Sequence, residues 1–287
     1  MKLPAFAYHR AESLEEATAL LAEHGPDARV LAGGQSLLPL MALRMSHPTL
    51  LVDISKSADL TRHTVHADRV VVPAAVTART AETSVEHPLL AACLAKVGHV
   101  EIRTKGTVCG SVAHADPAAE LPALLLALDG SVRVASATGH RHIAAEDFFL
   151  GPYLTALNEA ELVAGVELPR LPATAGASVL EIVRRDGDFA LVGVISVLDA
   201  GADSRCTDAR VTLFGVAGTA RRAAAAERVL LGSELSPAVL SEAAARAFDD
   251  IDVLGDVHGS ATYRRRAGTG LVARSLRAAL PREVVHA

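Results

Sequence analysis

Tryptophan is absent from this chain, aromatic residues make up only 3% of it, and its three cysteines stand far apart. Each scarcity excludes something. With so few rings, core volume must come from Ala, Val and Leu. Cys93, Cys109 and Cys206 form no CxxC pair. An iron–sulfur cluster normally takes four thiolates, so this chain cannot hold one alone, and a disulfide framework is equally out of reach. Positive charge is not in excess: the formal net charge is −5, which argues against a basic face that neutralises nucleic-acid phosphates. No apolar run approaches the roughly 20 residues that cross a bilayer. The opening Met1-Lys2-Leu3-Pro4-Ala5-Phe6 has no continuous apolar stretch of the kind that directs secretion, so the expected location is the cytoplasm. GxSxG and HExxH are missing too, and with them the usual hydrolytic signatures. Of twelve histidines only His140 and His142 sit close together. They read as a polar hairpin tip, since no acidic or thiol ligand stands beside them at helical spacing.

What the chain does have is two glycine-bearing turns, each joined to an apolar run. The first is Ala32-Gly33-Gly34-Gln35-Ser36-Leu37; the second is Gly106-Thr107-Val108-Cys109-Gly110-Ser111. Glycine admits positive φ, so successive N–H groups can converge on one anion, and a helix start adds unpaired donors. Two such turns suit the two phosphates of a dinucleotide, although neither has the Rossmann or P-loop form. An ordinary tight turn remains the alternative for Gly33-Gly34. Ser36 is expected to cap the helix that follows. Beyond the second turn, Asp116 and Glu120 are acceptors suited to ribose or adenine donors. Asp116-Pro117 also reads as a helix cap, and Glu120 as a first-turn acid facing the helix dipole.

A length of 287 residues favours two domains. Ser13 with Glu16 is a capping box before a helix that stops at Gly25-Pro26. Strands are expected at 29–32, 50–54, 70–73, 74–77, 131–136 and 161–169, with helices at 37–45, 88–98 and 117–128. Residues 169–176 form the best linker. Strands at 179–185, 191–198 and 209–216 then precede helices at 221–231, 237–248 and 260–280, an α+β order with helices on one face. Gly215-Val216-Ala217-Gly218 reads as a strand-to-helix turn, and Tyr263-Arg264-Arg265-Arg266 as a solvated or interface face.

The segments AGGQSLLPLM and GTVCGSVAHADPAAELP, in that order, resemble the FAD-binding medium subunit of molybdenum hydroxylases. That group includes carbon monoxide, nicotine and caffeine dehydrogenase subunits and the flavin domain of xanthine dehydrogenase. The likeness extends to RRDGDFA at 184–190 and to the start of the last helix at Gly259-Ser260-Ala261-Thr262-Tyr263-Arg264. It implies an α+β chain. A two-lobed FAD-binding domain of the PCMH, vanillyl-alcohol-oxidase-like type would span 1–172. A smaller C-terminal domain, an antiparallel sheet with helices on one face, would span 177–285. By the same resemblance, Ala32, Gly33, Gly34, Gln35, Ser36 and Leu37 fall on one pyrophosphate loop. Thr107, Val108, Cys109, Gly110 and Ser111 fall on the other. Asp116, Glu120 and Val163 fall at further cofactor positions.

The resemblance also implies partners: a large subunit with molybdopterin and a small one with [2Fe-2S] clusters, as a dimer of heterotrimers. Electrons would pass from the clusters to FAD on this chain and on to an external acceptor. No catalytic acid or base and no metal would belong to this chain. The alternatives are a flavin-less docking subunit and a free-standing flavin oxidoreductase. One departure stands out. Relatives commonly carry Gly-Gly where this chain has Cys109-Gly110. A positive φ at Cys109 would cost roughly 1 kcal/mol or more. Cys109 is therefore expected at negative φ, with Gly110 as the essential glycine.

Overall fold

The computed structural model describes residues 2–281, and in them the chain forms two compact units. One comprises the segment up to His87 together with His99–Ala115 and Asp129–Pro169. The other comprises Pro88–Gly98, Asp116–Leu128 and the chain from Arg170 onward. Packing thus draws two segments from the 1–172 range into the C-terminal unit. Met1 and residues 282–285 of the expected domain ranges lie outside the described residues.

The first unit carries two sheets, the two lobes expected. A three-stranded parallel sheet has the order Ala7–Arg10, Leu50–Asp53, Ala28–Leu31. Its central strand is fully buried, as a parallel strand covered on both faces must be. Helix Leu14–His24 begins at Ser13, whose hydroxyl accepts from the Glu16 N–H, and ends at Gly25 with φ +51°. The capping box is shifted by one place: the Glu16 carboxylate takes the N–H of Glu12, at 2.7 Å.

The second sheet has five antiparallel strands in the order Thr64–Val65, Arg69–Pro73, Leu162–Pro169, Ser131–Ser136, Gly139–Ala144. Two expectations change here. Residues 74–77 are a turn leading into helix Ala78–Ser84 rather than a strand. His140 and His142 lie within the edge strand, and the hairpin tip is Ala137-Thr138. No cluster of metal-ligating side chains occurs among the described residues.

The second unit is a four-stranded antiparallel sheet, Gly176–Ile182, Val192–Ala200, Cys206–Phe214 and Arg221–Arg222 in that order. Val192, Val194 and Leu198 point to one face, where helices Ala224–Leu230, Pro237–Arg246 and Ala261–Ala278 complete the core. The C-terminal helices therefore share a face, as expected. Strand alternation puts Ile195 and Val197 on the other face, and both are fully buried. Helices Pro88–Leu94 and Glu120–Ala127, from earlier in the sequence, pack against these strands. Among the described residues, no helix is long and apolar enough to cross a membrane.

Candidate functional site: two adjoining glycine loops

The first loop leaves the parallel sheet at Leu31 and enters helix Leu37–Ala42. Gly34 has φ +71°, which L side chains adopt only with strain. Gly33 serves differently. A Cβ there would stand 2.1 Å from the Lys105 carbonyl oxygen and 2.7 Å from the Gly106 Cα. Only a residue without a side chain lets the two loops approach this closely. The contact is answered from the other side, where a Cβ on Gly106 would lie 3.5 Å from the Gln35 Cγ. The two motifs, some seventy residues apart in sequence, are therefore neighbours within one unit.

The amides of the first loop are open. Among the described residues, none of the N–H groups of Gly33, Gly34, Gln35, Ser36 and Leu37 donates to another part of the chain. Five successive open donors at a helix start form a place for an oxyanion. The Gln35 side-chain amide reaches back to the Gly33 carbonyl at 3.2 Å. Ser36, expected as the cap, makes no capping hydrogen bond. Its backbone is already in the helical region, at φ −104° and ψ −46°, so its hydroxyl does not face the following amides as an extended cap residue's does.

The second loop satisfies part of itself, although among the described residues the N–H groups of Thr107 and Cys109 donate to no other part of the chain. Helix Val100–Lys105 ends as the Gly106 N–H donates to the Ile102 carbonyl at 2.7 Å. Thr107 is extended, caps helix Val108–His114, and accepts the Gly110 N–H at 2.9 Å. The Val108 N–H donates to the Val76 carbonyl at 3.2 Å. Gly110 is thus helical and does not have a positive φ. Its lack of a Cβ matters because one would stand 2.7 Å from the Thr107 Oγ1. Cys109 is helical, without a positive φ, and buried, and its Sγ donates to the Val72 carbonyl at 3.3 Å. Burial pushes its thiol far above the ordinary range, which makes it inert. Ser111 is half-buried in the same helix.

Val163 lies buried in strand Leu162–Pro169 opposite Val134, just before a register shift at Ala164. Its burial within the sheet is what the structure contributes to its expected role.

Asp116 and Glu120 belong to the other compact unit. Asp116 does not cap a helix directly. Its Oδ1 accepts the Ala118 N–H at 2.8 Å and its carbonyl accepts that of Ala119 at 3.1 Å, which closes a turn before helix Glu120–Ala127. The helix expected at 117–128 therefore starts three residues late. Glu120 is its first residue and is almost wholly buried. Burial lifts its carboxyl to about 7, with Glu181 and Asp116 adding to the rise and its own N–H and Lys96 opposing it. Glu181 is raised as well, chiefly by burial, with its Oε1 3.9 Å from the Lys96 Nζ and its Oε2 buried without a hydrogen bond. Sequence reading passed over Glu181 and Lys96. No local pattern marks them, because their meeting depends on how helix Pro88–Leu94 and the sheet come together.

Residues 4–171 match the FAD-binding domain of molybdopterin dehydrogenases, and residues 178–279 match the CO dehydrogenase flavoprotein C-terminal domain. The chain belongs to the FAD-binding medium subunits of molybdenum hydroxylases. It is 40% identical to the 6-hydroxypseudooxynicotine dehydrogenase complex subunit alpha of Paenarthrobacter nicotinovorans, over 98% of this chain and 97% of that one. The nicotine 6-hydroxylase medium subunit of the same organism is also 40% identical, over 96% and 98%. Among solved structures, quinoline 2-oxidoreductase from Pseudomonas putida 86 contains a chain that superposes with a TM-score of 0.92. Its identity is 37%, over 97% of this chain and 98% of that one. FAD is thus the cofactor of this family, and the open amides of the first loop, held against the second, fit its diphosphate.

Proposed function

We propose that this chain holds FAD between the partner subunits of a molybdenum hydroxylase, on the path from [2Fe-2S] clusters to an external acceptor. Within that reading, Ala32 to Leu37 and Thr107 to Ser111 cradle the diphosphate. The amides of Gly33 to Leu37 donate to its oxygens, and the Gly33–Lys105 approach fixes their direction. Val163 packs against the cofactor, while Asp116 and Glu120 accept hydrogen bonds from its sugar or base. Glu120, buried and titrating near neutrality, can also hold a proton at its carboxyl. Bound FAD supplies the exchange between one-electron donors and a two-electron acceptor, and the chain's residues bind, orient and shield it.

The assembly we infer has a large molybdopterin subunit and a small [2Fe-2S] subunit, paired as a dimer of heterotrimers in the cytoplasm. Residues 1–172 make the FAD-binding domain in this reading and 177–285 the C-terminal domain. The observation that carries it is the contact of Gly33 with the Lys105 carbonyl, which joins an open row of donors to the second motif. The test is to purify the chain with its partners, identify them by mass spectrometry, and titrate FAD by flavin fluorescence. A yellow complex with stoichiometric FAD is expected. A complex that stays colourless with added FAD would leave only the docking role.

A further inference from the structure

Arg264 is buried, its side chain 6% exposed, in a position where an unpaired guanidinium would be severely penalised. Its donors are all engaged by one small region. Nη1 donates to the Leu191 carbonyl at 2.7 Å and to the Gly215 carbonyl; Nε donates to the Gly259 carbonyl at 3.3 Å. Nη2 meets the Asp256 carboxylate at 2.6 Å. The residue thus departs from the solvated or interface face expected for Tyr263 to Arg266. Arg265 also turns inward with its tip, to the Phe248 and Ile251 carbonyls.

Gly215 is the centre of this arrangement. It has φ +73°, and a Cβ on it would stand 2.7 Å from the Ala190 carbonyl oxygen. Its carbonyl takes the Arg264 donor, and its N–H donates to the Pro117 carbonyl at 2.8 Å. Pro117 sits in the turn that Asp116 closes ahead of Glu120. All of these residues lie in the same compact unit.

We propose that Arg264 is a positioning residue for the cofactor: through Gly215 and Pro117 it sets the acidic segment Asp116 to Glu120. The inference rests on the reading that this segment faces FAD. A forked guanidinium suits the task because it reaches two carbonyls and a carboxylate in fixed directions, which an ammonium group does not. Arg264→Lys keeps the charge beside Asp256 and gives up the fork. Asp256→Asn removes the ion pair and leaves Gly215 untouched.

The experiment has two readouts on each variant. Amide hydrogen exchange of the full chain without FAD is followed in peptides covering 115–121. FAD affinity and the visible flavin spectrum are measured on the deflavinated complex. Arg264→Lys is expected to speed exchange in that segment and weaken FAD about tenfold, the scale of one lost charge-assisted hydrogen bond, with a shifted flavin band. Asp256→Asn, at a similar loss of melting temperature, is expected to leave all three near wild type. If Arg264→Lys does not fold, Arg264→Gln replaces it, since its amide still reaches one carbonyl. Unchanged exchange and affinity in the Arg264 variant, or equal loss in both variants, overturns the relay. Asp116→Asn and Glu120→Gln in the same titration separate the two ideas. If both bind FAD like wild type, the reading beneath the proposal falls. If they weaken FAD while Arg264→Lys does not, the relay alone falls.

Discussion

The two glycine loops look alike in sequence and differ in how many amides they leave open. In the first, five consecutive N–H groups stay open, and the serine placed to cap the helix does not do so. In the second, Thr107 and the Val76 carbonyl take up the N–H groups of Gly110 and Val108. One loop is a row of open donors, and the other, closed on itself at Val108 and Gly110, is a wall behind it. A pair of similar motifs need not make a symmetric clamp, and their contact decides the division of labour.

The sharpest way to break this comparison is to put the same methyl group on each loop. Gly33→Ala must displace the backbone of Lys105, since the new Cβ would lie 2.1 Å from its carbonyl oxygen. Misplacing that wall costs about 3 kcal/mol or more, at least about a hundredfold in FAD affinity by fluorescence titration. Gly110→Ala meets only the Thr107 hydroxyl and sits in a helix that favours alanine. Its FAD affinity should change less than about tenfold. Equal effects from the two variants would mean that both loops donate alike.

A second test asks whether either loop responds to pH. Neither glycine loop holds a group that titrates between pH 5 and 8, because the Cys109 thiol is pushed far up. The pH response falls to Glu120 in the acidic segment. Its folded carboxyl is lifted from 4.5 to about 7, so between those values the folded state binds the proton and the unfolded state does not. Stability is therefore full below the unfolded value and falls as pH rises through the folded one, by about 3 kcal/mol in all. Glu181 is shifted in the same direction. Denaturant midpoints of the FAD-free chain should drop from pH 5 to pH 8, and Glu120→Gln should flatten that slope and be the more stable chain at pH 8. A wild-type slope that persists in Glu120→Gln would assign the effect elsewhere.

How much of this was legible in the sequence follows the range of the interactions. The strand, Gly-Gly and apolar run of the first motif are local signals, and they form strand Ala28–Leu31, the loop and helix Leu37–Ala42. Helix Val100–Lys105 was missed because Val-Glu-Ile-Arg-Thr-Lys alternates in polarity like a strand and buries none of its residues. The failed Ser36 cap hangs on a backbone angle that composition does not reveal. Arg264 stands in a row of three arginines, and only the fold of Leu191, Gly215 and Asp256 around it singles it out. The pairing of Gly33 with Lys105 was legible as two related motifs, but the contact itself is a tertiary fact. So is the capture of Pro88–Gly98 and Asp116–Leu128 by the C-terminal unit.

A smaller effect separates the loops by their hydroxyls. Thr107→Val removes an acceptor that holds the Gly110 N–H and should cost about 1 kcal/mol of stability. Ser36→Ala removes a hydroxyl with no capping bond and should change stability by less than about 0.5 kcal/mol. Urea midpoints of the two variants, measured together, decide it. A larger loss from Ser36→Ala would reverse the assignment of which loop is self-supporting.

The smallest effect concerns Cys109, the buried cysteine of the second loop. It is 2% exposed, and its thiol donates inward to the Val72 carbonyl. A thiolate is the reactive form, and burial without a nearby cation suppresses it. Iodoacetamide at pH 8 should leave Cys109 unmodified in the native chain while labelling it fully after denaturation, as peptide mass mapping would read. Cys109→Ala gives up one weak hydrogen bond and little volume, so stability should fall by no more than about 1 kcal/mol, with FAD affinity unchanged. Rapid native labelling would show that the second loop opens, and the contrast between an open donor loop and a closed wall would then fail at the wall.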